Sequence, residues 1–172
     1  VGALGLPYQG GRKDPFLGSS SISSSTKALS TGTWSTTVTS ITNELAVKNP
    51  TVFYKGPFNY LPDGNWSNKK TIYDPCPAGW RVPDGDSEGI WKKAGFASTD
   101  FVDNTNKGIA FDISDGGKAW YPFSGYLNNR DGVLNNSGSH GYYWSVTSGS
   151  SQTYYLNFSY NGNVSPSCSY RD

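Results

Sequence analysis

The sequence is poor in charge and in long apolar runs. Its 14 Lys and Arg residues stand against 13 Asp and Glu, which leaves a formal net charge of +1. So weak a summed field gives no long-range attraction to phosphate or to anionic lipid. The apolar runs are only a few residues long, far short of the roughly 20 residues that a membrane-spanning helix needs. We therefore expect no nucleic-acid partner and no direct membrane insertion.

Reactive residue types are equally scarce. Methionine is absent, and His140 is the single histidine. It stands between Ser139 and Gly141, a turn context in which we expect a solvated ring, and no nucleophile elbow accompanies it. One histidine with two distant cysteines makes a poor zinc site. The sequence therefore predicts a protein that is not an enzyme and that needs no cofactor.

Two smaller questions stay open at this level. Cys76 and Cys168 could form one disulfide in an oxidising compartment, but their spacing does not show that they pair. Asp112 and Asp115 could ligate calcium through their oxygen atoms. A second acidic group, at 84–88, is better explained by the capping of a helix.

Glycine, proline, hydroxyl and aromatic residues are what the chain does contain. Its 172 residues fit one domain, which we place at residues 1–172. The 21 Gly and 10 Pro, together with long Ser and Thr runs, favour turns and short strands over helical bundles. Aromatic residues make up 15 % of the chain, so they must supply much of the core.

Short β-prone runs separated by turn signals predict antiparallel strands. A Ser- and Thr-rich loop at 19–42 is expected to lead into an edge strand. Asn161 and Gly162 form a two-residue hairpin signal, because both positions tolerate positive φ. Further strands are predicted at 51–54, 119–123, 142–146 and 154–158.

The clearest predicted helix lies around residue 90. Asp86 or Ser87 can cap its start, and Gly95 can end it. Its buried face is predicted from the helical spacing of three apolar residues, Ile90, Trp91 and Ala94.

The segment from Gly141 to Asp172 has a composition of its own. It holds eight Ser, six Tyr and three Asn among 32 residues, and its only charged residues are the last two. Tyr offers a large rigid contact surface, and Ser and Asn add adaptable hydrogen bonds, as in antibody loops. Alternation predicts that Leu156 and Phe158 point inward and that their polar neighbours form an exposed face. Ordinary strands with polar outer faces are the alternative.

Four strings of residues, spread over nearly the whole chain, carry a family resemblance. The longest is Thr71-Ile72-Tyr73-Asp74-Pro75-Cys76-Pro77-Ala78-Gly79-Trp80-Arg81-Val82-Pro83. The others are Arg12-Lys13-Asp14-Pro15-Phe16, Ser124-Gly125-Tyr126 and Gly141-Tyr142-Tyr143-Trp144-Ser145. Together they resemble the C-terminal domain of fimbrillin-like and major-paralogous-domain surface proteins of Bacteroides-type bacteria. The Asp-Pro-Cys-Pro string is the specific one, and the others support it.

The resemblance implies a C-type-lectin-like fold of class α+β, with short antiparallel strands, one or two helices and long loops. It also implies a bacterial protein that is secreted or displayed at the cell surface. Some members of the family resemble variable proteins diversified by retroelements, in which Asn, Tyr, Ser and Asp accumulate at exposed positions of the last segment. By this resemblance Trp144, Leu156 and Phe158 are scaffold, and the polar positions around them form the ligand face.

The expected function is therefore adhesin-like binding. The ligand would be a protein or glycan on another cell, or on a phage or host surface, bound by a monomer or by part of a larger surface protein. Tyr154, Tyr160 and Tyr170 are expected to contribute most of the affinity. The alternative is a structural domain of a pilus or outer-surface assembly with no ligand site of its own. The expected ligand-binding residues are Asn128, Asn129, Ser148, Ser150, Ser151, Tyr154, Asn157, Ser159, Tyr160, Asn161, Asn163, Ser165, Ser167 and Tyr170.

The chain departs from the family pattern in two places. Family members usually continue beyond the position of Asp172 with a segment ending Gly-Phe-Ser-Val-Arg-Cys-Val. The resemblance thus implies that a closing strand is cut off and that Cys76 has lost its usual partner. The Glu-Pro-Asn and Trp-Asn-Asp motifs of calcium lectins are missing, since Trp144 is followed by Ser145 and Val146. This departure argues against calcium-dependent sugar binding.

Overall fold

Ten short strands and two short helices occur in the part of the chain that the computed structural model describes. That part comprises residues 7–14, 16, 35–38, 40–55, 65–97, 101–113, 116–128, 130, 133–149 and 152–170. The helices are α1 (Asn43–Lys48) and α2 (Ile90–Lys93). The strands are β1 (Ser35–Val38), β2 (Val52–Lys55), β3 (Phe101–Asp103), β4 (Gly108–Asp112), β5 (Lys118–Pro122), β6 (Tyr126–Leu127), β7 (Leu134–Asn135), β8 (His140–Gly149), β9 (Gln152–Ser159) and β10 (Val164–Tyr170).

The strands form four small sheets. The two larger ones are antiparallel, with the strand orders β3-β4-β5 and β10-β9-β8. Strands β6 and β7 also pair antiparallel, whereas β1 and β2 pair in parallel. Small antiparallel sheets with two short helices are compatible with the predicted α+β class. The parallel pair was not expected; it forms because α1 lies in the connection and returns the chain in the same direction.

Helix α1 follows β1, which lies inside the loop expected at 19–42, and it has no counterpart among the predicted helices. Thr42 caps it, since its Oγ1 accepts a hydrogen bond from the Leu45 amide at 3.2 Å. Ala46 is buried against Ile41 and Tyr54, and the Tyr54 hydroxyl donates to the Leu45 carbonyl at 3.1 Å. A helix this short carries too few apolar positions for a periodic pattern to reveal it.

Helix α2 is shorter than predicted and is capped differently. Its N-cap is Gly89, which supplies no side-chain hydrogen bond, and Asp86 accepts an amide hydrogen bond in the preceding turn instead. Trp91 is 3 % exposed, whereas Ile90 is 56 % exposed. Consecutive residues of a helix point in different directions, so this single turn directs only Trp91 towards the core. Gly95 follows with a φ of +75°, the left-handed end that was predicted.

The main core joins α2, β4 and β9 and is built largely from aromatic rings. Phe96 and Phe111 stack with their centroids 4.0 Å apart, and Phe158 meets Phe111 edge-on at 5.4 Å. Gly141 pairs with Phe158 across the sheet, and a Cβ there would come within 2.1 Å of the Phe158 ring. Glycine is therefore required at that position. The buried members of the core are Trp91, Phe96, Ile109, Phe111, Phe123, Leu156 and Phe158.

The N-terminal segment is tied to β2 by buried polar side chains. Arg12 is 1 % exposed, and its guanidinium donates to the carbonyls of Val52 at 2.7 Å and Pro50 at 2.8 Å. Gln9 donates to the carbonyl of Tyr54 at 2.7 Å. These bonds join the segment to a strand without the main-chain pairing of a sheet.

The Asp-Pro-Cys-Pro string is organised around one buried carboxylate. Asp74 accepts hydrogen bonds from the amides of Cys76 (2.9 Å) and Val82 (3.0 Å) and pairs with the Lys70 ammonium at 3.2 Å. Lys70 also donates to the carbonyls of Cys76 and Trp80, each at 2.7 Å. Burial alone would raise the pKa of Asp74, but these hydrogen bonds and the ammonium lower it. Cys76 is a free cysteine.

Candidate functional site

The sheet of β8, β9 and β10 has two chemically different faces. On one face Leu156 and Phe158 are fully buried, as predicted. Asn157 points to the other face because successive side chains of a strand alternate, and the register places Tyr142 beside it. The side chains on this second side, which we call the C-terminal outer face, are His140, Tyr142, Trp144, Tyr155, Asn157 and Ser165.

A row of aromatic rings runs along the C-terminal outer face. The centroid of Tyr142 lies 4.8 Å from that of Tyr126 and 6.0 Å from that of Tyr155. Tyr155 lies 5.8 Å from Trp144, whose Nε1 donates to the Tyr8 carbonyl at 3.3 Å. All four rings in the row are half-buried. Because their edge-on and tilted contacts fix one another's orientation, the row is a preformed surface.

His140 closes one end of this row. Its ring stacks on Tyr142 at 6.1 Å and meets Tyr160 edge-on at 6.3 Å. Its Nδ1 lies 3.0 Å from Ser139 Oγ, which also donates to the Asn136 carbonyl. Burial lowers the pKa of His140, which keeps the ring neutral at neutral pH. The expected solvated ring in a turn is wrong, because His140 begins β8 and its ring lies between two tyrosines.

The β9–β10 turn lies beside the same end of the row. The Gly162 amide donates to the Ser159 carbonyl, and the Ser159 amide donates to the Asn163 carbonyl, both at 3.0 Å. Gly162 has a φ of +83°, whereas the φ of Asn161 is not positive. The connection is therefore a three-residue loop with a glycine bulge and not the predicted two-residue turn. Tyr160, Asn161 and Asn163 are exposed at its tip.

The structure places the predicted ligand residues in different settings. Asn128 is half-buried in the β6–β7 loop, where its side chain accepts a hydrogen bond from the Arg130 amide at 2.8 Å. Asn129, Ser150 and Ser151 lie outside the described residues, as do the side chains of Ser167 and Tyr170. The predicted residues that are exposed or half-buried on the outer face and its edges are Ser148, Asn157, Tyr160, Asn161, Asn163 and Ser165.

Two predicted ligand residues do not belong to an exposed face. Tyr154 is half-buried, and because it is in phase with Leu156 and Phe158 it points to the core-facing side of β9. Ser159 is 5 % exposed, and its hydroxyl bonds to the side chain of Asn161 within the turn. The alternation that identified the buried pair should itself have placed Tyr154 with them.

The rings of the outer face are what sequence reasoning missed. Tyr142, Tyr155 and His140 were not among the expected ligand residues, and Trp144 was expected only as scaffold. A signal for Tyr155 was present: once Leu156 is assigned to the core, its neighbour must point outward. No comparable signal exists for Tyr142, whose face depends on the cross-strand register.

Comparison with known proteins gives no match. No family model matches the chain, and neither a curated protein nor a solved structure matches it. In the described part of the chain no helix is long and apolar enough to cross a membrane. The same residues hold no group of three or more His, Cys, Asp or Glu side chains that could bind a metal ion. The function of the outer face therefore has to be inferred from its own geometry.

Proposed function

We propose that this chain is a ligand-binding domain that recognises a protein or a glycan through the C-terminal outer face and the adjoining β9–β10 turn. The proposal includes a C-type-lectin-like fold, secretion or display at a bacterial surface, and sequence diversification of the exposed positions. It involves binding without a catalytic step. The resemblance of the Asp-Pro-Cys-Pro string supports the fold and the location, and the outer face supports the binding.

One observation carries the proposal: a row of half-buried rings lies on the side of the sheet that faces away from the core. Strands β8, β9 and β10 contain no Asp, Glu, Lys or Arg, the residue types that are most often exposed on protein surfaces. The cores of protein interfaces are depleted in charge and enriched in Tyr and Trp. The row formed by Tyr142, Tyr155 and Trp144 has that composition, and Asn157 adds a hydrogen-bonding group beside it.

Affinity should be concentrated at the exposed end of the face, where two residues are suited to contact a ligand. Tyr160 is 53 % exposed and touches the row through His140. Asn157 is half-buried, and its Nδ2 donates to the Gly141 carbonyl at 3.4 Å, a long hydrogen bond. Neither residue belongs to the main core, so both can be changed with little cost in stability.

The experiment begins with a glycan and host-protein array, probed with the purified domain with and without calcium. For a ligand found in this way, the double variant Asn157→Ala and Tyr160→Ala should weaken binding by a factor of about 10 or more. Its melting temperature should stay close to that of the original domain.

A matched control changes the same kinds of side chain elsewhere. Asn68→Ala combined with Trp80→Ala removes an exposed asparagine and an aromatic side chain that is 73 % exposed. This variant should bind normally. Equal affinity of both double variants for the ligand would contradict the assignment of the outer face. An array without any ligand would contradict the binding function and favour a structural role in a surface assembly.

A further inference from the structure

A second exposed aromatic surface lies on the sheet of β3, β4 and β5. The register places Phe101 opposite Ala110 and Ala110 opposite Trp120, so these three side chains form one row across the sheet. The alternate residues Ile109 and Phe111 are buried in the core, which puts the row on the outward side. Phe101 is 63 % exposed and Trp120 is 46 % exposed. Two exposed aromatic side chains in one row make this sheet a candidate interaction surface.

The indole of Trp120 lies against Gly108 in the neighbouring strand. A Cβ on Gly108 would come within 2.5 Å of Trp120 Cζ2 and 2.8 Å of Cη2, so the six-membered ring fills the space beside the glycine. Covering a strand glycine in this way stabilises the sheet. This contact leaves Trp120 46 % exposed, however, and it does not explain the exposure of Phe101.

Charged side chains flank the row, but only one pair of them is available to a ligand. The next outward pair along β4 and β5 is Asp112 opposite Lys118; the two form an ion pair and their side chains are 71 % and 61 % exposed. At the other end the Asp103 carboxylate accepts hydrogen bonds from the amides of Thr105 and Asn106, so it is engaged in its own turn. Beside the row the sheet therefore offers one acceptor and one donor whose charges cancel.

The size of this surface limits what it can hold. Three strands of at most five residues cover about 15 Å by 17 Å. That area is about a third of the roughly 800 Å² that each partner contributes to a stable protein interface. A second copy of the chain or a globular partner is therefore poorly matched, whereas a ligand of a few rings fits. The cancelling charges of Asp112 and Lys118 favour a neutral ligand.

We propose that this surface binds a neutral saccharide. One face of a pyranose ring carries C–H groups, which pack against the exposed part of the Trp120 indole. Asp112 accepts hydrogen bonds from hydroxyls at the edge of that sugar, and Lys118 donates to them. Phe101 lies two strand spacings away, about 10 Å, and contacts a neighbouring sugar unit. The site is separate from the C-terminal outer face and does not rest on the function proposed for it.

The test uses neutral tetrasaccharides of glucose, galactose, mannose and N-acetylglucosamine, each added separately to the isotope-labelled domain. The indole N–H signal of Trp120 is assigned from its loss in Trp120→Phe. At least one of the tetrasaccharides should shift this signal. Trp120→Ala should then weaken the binding about tenfold or more, and Asp112→Ala, which leaves the indole in place, about threefold.

Trp80→Ala is the matched control, because it removes another exposed indole from a different part of the chain; it should bind as the original domain does. The proposal is overturned if no tetrasaccharide shifts the Trp120 signal, or if Trp80→Ala weakens binding as much as Trp120→Ala. It is also overturned if Asp112→Ala, with an unchanged melting temperature, binds with full affinity. Sedimentation as a dimer that Trp120→Ala dissociates would assign the surface to self-association instead.

Discussion

Among the described residues, charged and amide side chains are buried before helix α2, whereas the buried polar side chains after it are serines. Before α2, buried polar side chains reach distant main-chain groups: Arg12 donates to the carbonyls of Pro50 and Val52, and Asp74 accepts from the Val82 amide. After α2, the buried side chains are mainly rings and aliphatic groups, and the main-chain groups of the strands bond to one another.

This difference follows from the backbone of each region. Residues 65–89 contain no helix and no strand, so their amides and carbonyls need partners from side chains. In the two larger sheets the strands satisfy each other's main-chain groups, and the outward side chains are not needed for that purpose. Both candidate binding surfaces lie on these two sheets for the same reason. Their outward positions can carry exposed rings without loss of the fold.

The largest effect predicted from this comparison comes from the removal of a core ring. Phe158→Ala deletes a fully buried ring that packs on Phe111 and Phe123, and it should lower the free energy of unfolding by about 3–5 kcal/mol. Phe101→Ala removes the same side chain from an exposed position and should cost less than about 1 kcal/mol. Urea unfolding followed by circular dichroism measures both. Similar costs would mean that the outward row of the β3–β4–β5 sheet is part of the core.

Strands were predictable where a short run of β-prone residues is flanked by turn residues. The expected strands at 51–54, 119–123, 142–146 and 154–158 overlap β2, β5, β8 and β9, because β-prone residues and flanking turn residues identify them. Strand β10 was harder to predict from the sequence, because its Ser- and Pro-containing sequence has no alternation of apolar residues. Helix α1 depends on a Thr42 cap and contacts to β2 that no local pattern contains.

The candidate site was predictable in its location but not in its composition. The Tyr-, Ser- and Asn-rich segment does form the sheet whose outer face is the candidate site. Ser159 was assigned to the surface because it is polar, yet the turn buries it through the Asn161 side chain. His140 was assigned to a solvated turn because of its glycine neighbours. Its pairing with β9 places it in the row of rings.

A smaller effect should come from the loss of a polar anchor. Arg12→Met keeps an apolar stem of similar length but leaves the carbonyls of Val52 and Pro50 without their donors, so it should cost about 2–3 kcal/mol. The neighbouring change Lys13→Met removes an exposed hydrogen bond to Ile72 and should cost less than about 0.5 kcal/mol. Urea unfolding again measures both. If Arg12→Met is as stable as the original domain, polar anchoring does not hold the region before α2.

The smallest of the three effects is also the one with a pH signature. Asp74→Asn removes the charge that the amides of Cys76 and Val82 and the Lys70 ammonium stabilise, and it turns an amide group towards one of those donors. We expect a cost of about 2 kcal/mol at neutral pH. The exposed Asp112→Asn, which breaks only the surface pair with Lys118, is the control and should cost less than about 0.5 kcal/mol.

The pH dependence of the unfolding free energy distinguishes the contribution of the Asp74 charge from that of its shape. The native pKa of this carboxyl lies below its usual value. The ionised form of Asp74 therefore stabilises the folded state more than the protonated form does. That stability is fully present above the unfolded pKa of about 3.9 and is lost as the pH falls through the lower native value. The difference in unfolding free energy between the original domain and Asp74→Asn should therefore narrow below about pH 4. A difference that stays constant from about pH 3 to pH 7 would mean that Asp74 acts through its shape and hydrogen bonds alone, and the polar half of the comparison would then rest on Arg12.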